Sequence, residues 1–282
     1  MTQPRSAFVP IMDHEVHVTL WGKPSAPALV MWHGLARTGR DFDELAAALS
    51  EDFFIICPDT IGRGLSSWSD NPEAEYSIEY YSGIAADLLD HFAVERAGWL
   101  GTSMGGLIGM RMASGPMAER LRWLIVNDIG PEVPQPAIDR VLAYANTAPT
   151  FPTLAAAEVW LRGAYQPFGP APDGYWTRMA RTSVRRRGDG TFTTHFDPRI
   201  TVQFSASAHE LISWDRYDRI DLPMHLIRGA VSDILTLSIA SRMTETGPKP
   251  RCTVYEDCGH APALARQRDI KLIRGVIEEL SN

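Results

Sequence analysis

Five consecutive residues, Gly101-Thr102-Ser103-Met104-Gly105, have types and spacing that suit covalent chemistry. They stand directly after the apolar run Ala97–Leu100 (AGWL) and before the helix-period segment Leu107–Ala113. In that setting G-x-S-x-G reads as a sharp strand-to-helix turn with an exposed serine at its apex. Such a turn holds the serine in a strained backbone conformation, and the flanking glycines remove side chains that would collide there. Ser103 would stand at the N-terminus of a helix, where the helix dipole favours developing negative charge. A bare five-residue pattern arises by chance, so its weight comes from the strand before it and the helix after it.

A serine hydroxyl is a weak nucleophile at neutral pH and needs a base, normally a histidine oriented by a carboxylate. The chain has eight histidines: His14, His17, His33, His91, His195, His209, His225 and His260. His260 lies in Asp257-Cys258-Gly259-His260-Ala261-Pro262, a turn between the strand-like Cys252–Tyr255 and the last helical segment. That is the right setting for a side chain that must reach over a sheet edge. His33 precedes Gly34 after an earlier strand and suits another role; the other six read as ordinary surface or core residues. Two carboxylates follow strand-like runs, Asp233 after Met224–Ile227 and Asp128 after Leu121–Val126. Either gives the chain order Ser, Asp, His, so order does not choose. Asp233 is the preferred acid, with Asp128 tying down the hinge into the segment that follows it.

The elements that must position these residues are short apolar runs closed by Gly, Pro or Asp: Ala28–Trp32, Phe53–Cys57, Ala97–Leu100, Leu121–Val126 and Met224–Ile227. Runs of this kind suit strands buried on both faces. Helix-period segments alternate with them, at Asp41–Leu49, Tyr80–Phe92 and Ile270–Leu280. The expected fold is therefore α/β, a mostly parallel central sheet with helices on both faces. Phe8–Met12 and Val16–Leu20 would form an antiparallel leading hairpin. From Gly130 to about Ser213 the rhythm breaks into a Pro- and aromatic-rich stretch with helical spacing at Leu154–Leu161 and no buried-strand run. Sheet strands are usually joined by about 2–6 residues, so this stretch reads as an inserted helical cap. The division is then 1–130 and 214–282 for the core and 131–213 for the cap.

The whole chain has 282 residues, 45% hydrophobic and 22% charged, with 27 Lys+Arg against 34 Asp+Glu and a formal charge of -7. That balance argues against nucleic-acid binding through bulk charge. No apolar run long enough for a secretory signal or a membrane span is present, so a cytoplasmic location and no membrane partner are expected. Cys57, Cys252 and Cys258 do not form a C-x-x-C pair and are expected to be reduced thiols. Gly62-Arg63-Gly64 lacks the third glycine of a dinucleotide loop, no P-loop exists, and no metal-ligand motif such as H-E-x-x-H is present, so neither cofactor nor metal is expected. Arg185-Arg186-Arg187 reads as a solvated face.

Taken with His33-Gly34, the loop Asp59-Thr60-Ile61-Gly62-Arg63-Gly64-Leu65-Ser66, the turn at Gly101–Gly106, Arg228–Leu235 and Gly259-His260, the chain resembles the α/β-hydrolase superfamily, in its branch of capped bacterial serine hydrolases. The resemblance spans nearly the whole chain outside the cap. It implies Asp233 as the triad acid, since the family pattern R-G-x-x-S-D-x-L is met there. It also implies an oxyanion hole from the backbone N–H groups of Leu35 and Met104. Leu35 and Ala36 after Gly34 set the chain apart from the H-G-G-G lipases and esterases. The serine nucleophile sets it apart from haloalkane dehalogenases and epoxide hydrolases, which need a carboxylate. The implied activity is hydrolysis of a small carboxylic ester (EC 3.1.1) through an acyl-enzyme on Ser103, with His260 as base. The substrate would be a small molecule with an apolar acyl or aromatic group, held by His33, Trp160, Tyr165 and Phe168. Relatives with the same triad cleave carbon–carbon bonds, enol-lactones or thioesters, or act as cofactor-free perhydrolases, and some α/β-hydrolase relatives are small-molecule receptors.

Overall fold

The computed structural model describes residues 3–146 and 148–282. Strands β1 (Arg5–Ile11) and β2 (His14–Trp21) form the antiparallel hairpin, followed by β3 (Ala28–Trp32), β4 (Phe54–Pro58), β5 (Ala97–Thr102) and β6 (Leu121–Asn127). A long insertion carries the short strands β7 (Thr150–Phe151), β8 (Val184–Arg186) and β9 (Phe192–Thr194). The main sheet resumes with β10 (Met224–Gly229) and β11 (Arg251–Tyr255), giving eight strands in the order β1-β2-β4-β3-β5-β6-β10-β11. Every pair from β4 to β11 is parallel; the hairpin joins antiparallel through β2 and β4.

Strand periodicity sorts the apolar side chains onto two cores. In β3, Val30 and Trp32 enter one core while Leu29 and Met31 enter the other, because successive side chains point to opposite faces. The first core is covered by α3 (Ile78–His91) and α4 (Met104–Ala113), which follow α1 (Asp43–Leu49) and α2 (Pro72–Glu75) in the chain. Ile84, Leu88 and Ile108 are among its helix-borne members. The second core is closed by Leu45 and Leu49 of α1, with Ile273 and Ile277 of the C-terminal helix. Burial on both faces explains why the strands read as continuous apolar runs.

The insertion holds α5 (Gln135–Ala145), α6 (Leu154–Ala164), α7 (Asp173–Ser183) and α8 (Gln203–Ala206); α9 (Trp214–Tyr217), α10 (Leu237–Glu245) and α11 (Gln267–Ser281) return to the core. Here the structure departs from the sequence reading, because β7, β9 and β8 build a three-stranded antiparallel sheet. Strands of two or three residues are too short to leave an apolar run. Leu161, Tyr165, Tyr175, Trp176 and Met179 form a small core of the insertion's own. Arg178 of α7 anchors it to α1 through Glu44, at 2.6 and 3.0 Å. Arg185, Arg186 and Arg187 are the solvated face that was expected: Arg186 lies over the Phe192 ring and Arg187 donates to Thr150. No helix among the described residues is long and apolar enough to cross a membrane.

Candidate active site

Ser103 stands between β5 and α4 with φ 51° and ψ -116°, a conformation that L-residues rarely adopt. The two glycines that flank it are required by contact. A Cβ on Gly101 would lie 2.1 Å from the Gly105 carbonyl oxygen, and one on Gly105 would lie 2.1 Å from that of Trp32. The turn is held from below by Trp99, whose indole N–H donates to Gly105 O at 3.0 Å while its ring stacks on Trp32 at 5.4 Å. From the side, Ser103 N–H donates to Asn127 O at 2.9 Å.

His260 comes to this serine from the loop after β11. Its Nε2 lies 2.9 Å from Ser103 Oγ. The loop is fastened by Gly259 N–H to Pro167 O (2.7 Å) and by Asn127 Nδ2 to Pro262 O (2.9 Å). It packs so closely on β10 that a Cβ at Gly229 would meet Gly259 O at 2.1 Å.

The carboxylate on the far side of His260 is Asp128, which corrects the expectation for Asp233. Asp128 Oδ2 lies 2.8 Å from His260 Nδ1 and accepts from Ser232 Oγ at 2.6 Å; its Oδ1 accepts from Gly229 N–H at 2.8 Å. It is fully buried. Asp233 is about half exposed and pairs with Arg140 of α5, at 2.5 and 2.8 Å. The physical reason is a matter of one residue. In the loop after β10, Ser232 turns inward to hydrogen-bond Asp128, so its neighbour Asp233 faces the insertion.

His33 borders the cleft above Ser103, with its ring engaged inside the protein. It is fully buried and neither ring nitrogen is free: Nδ1 donates to Gly34 O at 2.7 Å, and Nε2 accepts from Thr60 N–H at 2.9 Å. Burial lowers its pKa to about 4, so it is neutral at physiological pH. It lies under the Gly34-Leu35 turn and borders the cleft with both ring nitrogens engaged. Leu35 and Met104 lie where expected. Both border the cleft, and neither N–H donates to an acceptor among the described residues.

The cleft above Ser103 is open and is bordered by the Gly34-Leu35 turn, the His260 loop and the insertion. Tyr165 and Phe168 line it as expected, whereas Trp160 does not and packs inside the insertion, 5.5 Å from the Phe151 ring. Ile129, Val133, Ile138 and Val141 give it apolar walls that the sequence reading missed. Arg37 also borders it, locked to Asp41 and lying 4.7 Å from the Tyr165 ring centroid. A further residue that left no signal in the sequence is Gln203, buried in the cleft wall. Arg63 lies beneath, wholly buried, donating to Leu35 O at 2.8 Å and so bracing the turn beside Ser103. The three cysteines are free, and burial pushes the Cys258 thiol up to about 12, which makes it unreactive. No group of three or more His, Cys, Asp or Glu that could hold a metal occurs among the described residues.

Comparison with known proteins places this geometry in context. The model of the alpha/beta hydrolase family matches residues 29–270. The 3-hydroxybutyrate-oligomer hydrolase of Cupriavidus necator is 34% identical over 95% of this chain and 96% of its own. Among solved structures, a Rickettsia typhi protein superposes with a TM-score of 0.90 at 27% identity, covering 98% of this chain and 99% of that one. An alpha/beta hydrolase from Novosphingobium aromaticivorans superposes with a TM-score of 0.85 at 27% identity, covering 99% of each chain.

Proposed function

The chain belongs to the alpha/beta hydrolase family, and on that premise we propose that it is a serine esterase of short hydroxy-acid oligoesters, working through an acyl-enzyme on Ser103. The observation that carries the reading is the hydrogen-bonded chain Ser103–His260–Asp128, with separations of 2.9 and 2.8 Å, on a strained turn at a helix N-terminus. Asp128 fixes the imidazole with its proton on Nδ1, which leaves the Nε2 lone pair facing Ser103. His260 takes the Ser103 proton as Oγ attacks the ester carbonyl. The resulting alkoxide is held by the N–H groups of Leu35 and Met104; one such donor is worth about 100–1000-fold in rate. Collapse breaks the ester bond, and the alcohol leaves with the proton from His260. Water then repeats the sequence, releasing the acid and restoring the serine.

The substrate class rests on likeness to the Cupriavidus necator enzyme, which extends over nearly the whole of both chains. It accords with an apolar cleft, suited to short alkyl chains. The insertion supplies the lid, with Tyr165 and Phe168 over the reacting ester.

The test is release of monomer from 3-hydroxybutyrate dimers and trimers, run beside thioester, enol-lactone and dienone substrates, with a fluorophosphonate to trap the nucleophile. Oligoester turnover and a phosphonyl adduct on Ser103 are expected. Lack of an adduct would reject the acyl-enzyme, and turnover of a thioester, lactone or dienone far above the oligoester would reassign the substrate.

A further inference from the structure

We propose that Gln203 forms a hydroxyl-recognition subsite in the cleft, its side-chain carbonyl accepting a hydrogen bond from a free hydroxyl on the acyl part of the ester. This rests on the ester-hydrolase reading and narrows it to hydroxyacyl esters. Gln203 is 7% exposed, and its Oε1 is buried without a hydrogen-bond partner. A buried amide oxygen left unpaired carries an uncompensated desolvation cost, and native proteins keep few of them.

Its placement follows from local structure. Gln203 opens the single turn α8, and Ser207 N–H closes on Gln203 O at 3.1 Å. Gln203, Ser207 and Glu210 are therefore three and four residues apart, all at least nine-tenths buried, and all three border the cleft that contains Ser103.

Several other polar side chains around the cleft are engaged. Glu210 accepts from the N–H groups of Ile78 and Glu79, each at 2.8 Å, and caps α3. Arg37 is tied to Asp41 and Arg140 to Asp233. Thr102 Oγ1 accepts from Asn127 Nδ2, and His33 has both nitrogens filled. Gln203 Oε1 is a buried orphan acceptor on a residue that borders the cleft beside Val133, Phe204 and Leu211. An O–H donor satisfies it, whereas an ether or carboxylate oxygen does not. A hydroxyacyl ester offers an O–H a few bonds from its carbonyl.

The experiment compares kcat/KM for the 4-nitrophenyl esters of 3-hydroxybutyrate, 3-methoxybutyrate and butyrate. The native enzyme is expected to prefer the hydroxy ester over both others by about 10-fold or more, because a site built around a hydrogen bond rejects the analogue that lacks the donor. In Gln203→Met, close in length but without the acceptor, that preference is expected to fall to within about 2-fold of unity. Equal use of hydroxy and methoxy esters by the native enzyme overturns the proposal without any variant. So does a Gln203→Met enzyme that keeps the native preference. If butyrate is cleaved with a Ser103 adduct but no hydroxy preference exists, only the subsite fails. If no ester is cleaved and Ser103 stays unlabelled, the ester-hydrolase reading falls and the subsite with it.

Discussion

Two serine–histidine–aspartate chains occur among the described residues. At the cleft, Ser103, His260 and Asp128 are linked at 2.9 and 2.8 Å. At the hairpin end of the sheet, Ser6 Oγ lies 2.5 Å from His17 Nε2, and His17 Nδ1 lies 2.8 Å from Asp59 Oδ2. Both histidines are largely buried, and both aspartates accept backbone N–H bonds, Asp128 from Gly229 and Asp59 from Gly39 and Leu65. The two differ in what surrounds the serine. Ser6 is exposed in the regular edge strand β1, paired in register with Thr19. Ser103 is strained, caps a ten-residue helix, and lies in an apolar cleft bordered by two N–H groups without an acceptor among the described residues. A hydrogen-bonded chain can lend a hydroxyl basic assistance, but it does nothing for the charge on the carbonyl oxygen. Preorganised donors aimed at that oxygen are the larger contribution.

The sharpest way to break this contrast is to remove each serine. Ser103→Ala is expected to lower ester turnover by about 10⁴–10⁶, with little further loss when combined with His260→Ala, because the group acts as a unit. Ser6→Ala is expected to leave kcat within threefold. Mass spectrometry after fluorophosphonate treatment should place the adduct on the peptide with Ser103 and leave that with Ser6 unmodified. A second adduct on Ser6 would show that the hydrogen-bonded chain alone is sufficient.

Removing the charge of the acid comes next. Asp128→Asn keeps the shape but favours the wrong imidazole tautomer, and kcat is expected to fall by about 10²–10⁴. The pH–rate profile is the informative readout, since a purely structural defect would lower the rate without reshaping the profile. Near-native turnover would show that His260 is oriented by its loop contacts alone.

How far these features could be read beforehand follows from the physics that sets each one. Strands buried on both faces are nearly all apolar, so β3, from Ala28 to Trp32, was legible to the residue. The Ser103 turn was legible because its glycines are enforced by contacts within a few residues and with the neighbouring strand. His260 was legible from its turn between β11 and the last helix. The choice between Asp128 and Asp233 was not. Both follow strands that are adjacent in the sheet, and which one meets His260 depends on which way the backbone after β10 turns its side chains. That orientation is settled by Ser232 and Gly229 meeting Asp128 across 104 and 101 residues, which no local pattern encodes. The insertion was the least legible part. In α7, the buried Tyr175, Trp176, Met179 and Ala180 have helical spacing, but they face a core that exists only once α6 and α7 pack together.

The two regions should also separate on acidification. His33, under the Ser103 turn, has its pKa lowered by burial from 6.5 to about 4. The unfolded chain therefore binds this proton first, and the stability that neutral His33 contributes is complete above pH 6.5 and lost as pH falls towards 4. The full loss is about 3 kcal/mol. Asp59, in the hairpin region, is held below its ordinary 3.8: burial opposes the charge, and the hydrogen bond and charge of His17 outweigh it. Its contribution is present above 3.8 and is lost only as pH falls further. Denaturant midpoints should therefore decline first between pH 6.5 and 4. Over the upper part of that range the His33 ring signals should hold their neutral chemical shifts by NMR; a midpoint near 6.5 would contradict the burial assigned to this ring.

The smallest effect is expected at Asp233, the acid that the sequence favoured over Asp128. Asp233 and Arg140 have side chains about 47% and 43% exposed, and an ion pair in that setting is worth about 0–1 kcal/mol. Neutralising the acid by Asp233→Asn removes that attraction but leaves Asp128, Ser232 and Gly229 bonded as they were. The expected result is kcat within threefold of native and a loss of stability under about 1 kcal/mol, weaker still at high salt because exposed pairs are screened. KM is the more responsive quantity, since Arg140 borders the cleft and loses the partner that holds α5 against the loop after β10. A modest rise in KM with kcat preserved would assign the pair to holding the lid. A fall in kcat comparable to that of Asp128→Asn would instead mean that His260 draws on both carboxylates, and the single-acid account of the site would have to be abandoned.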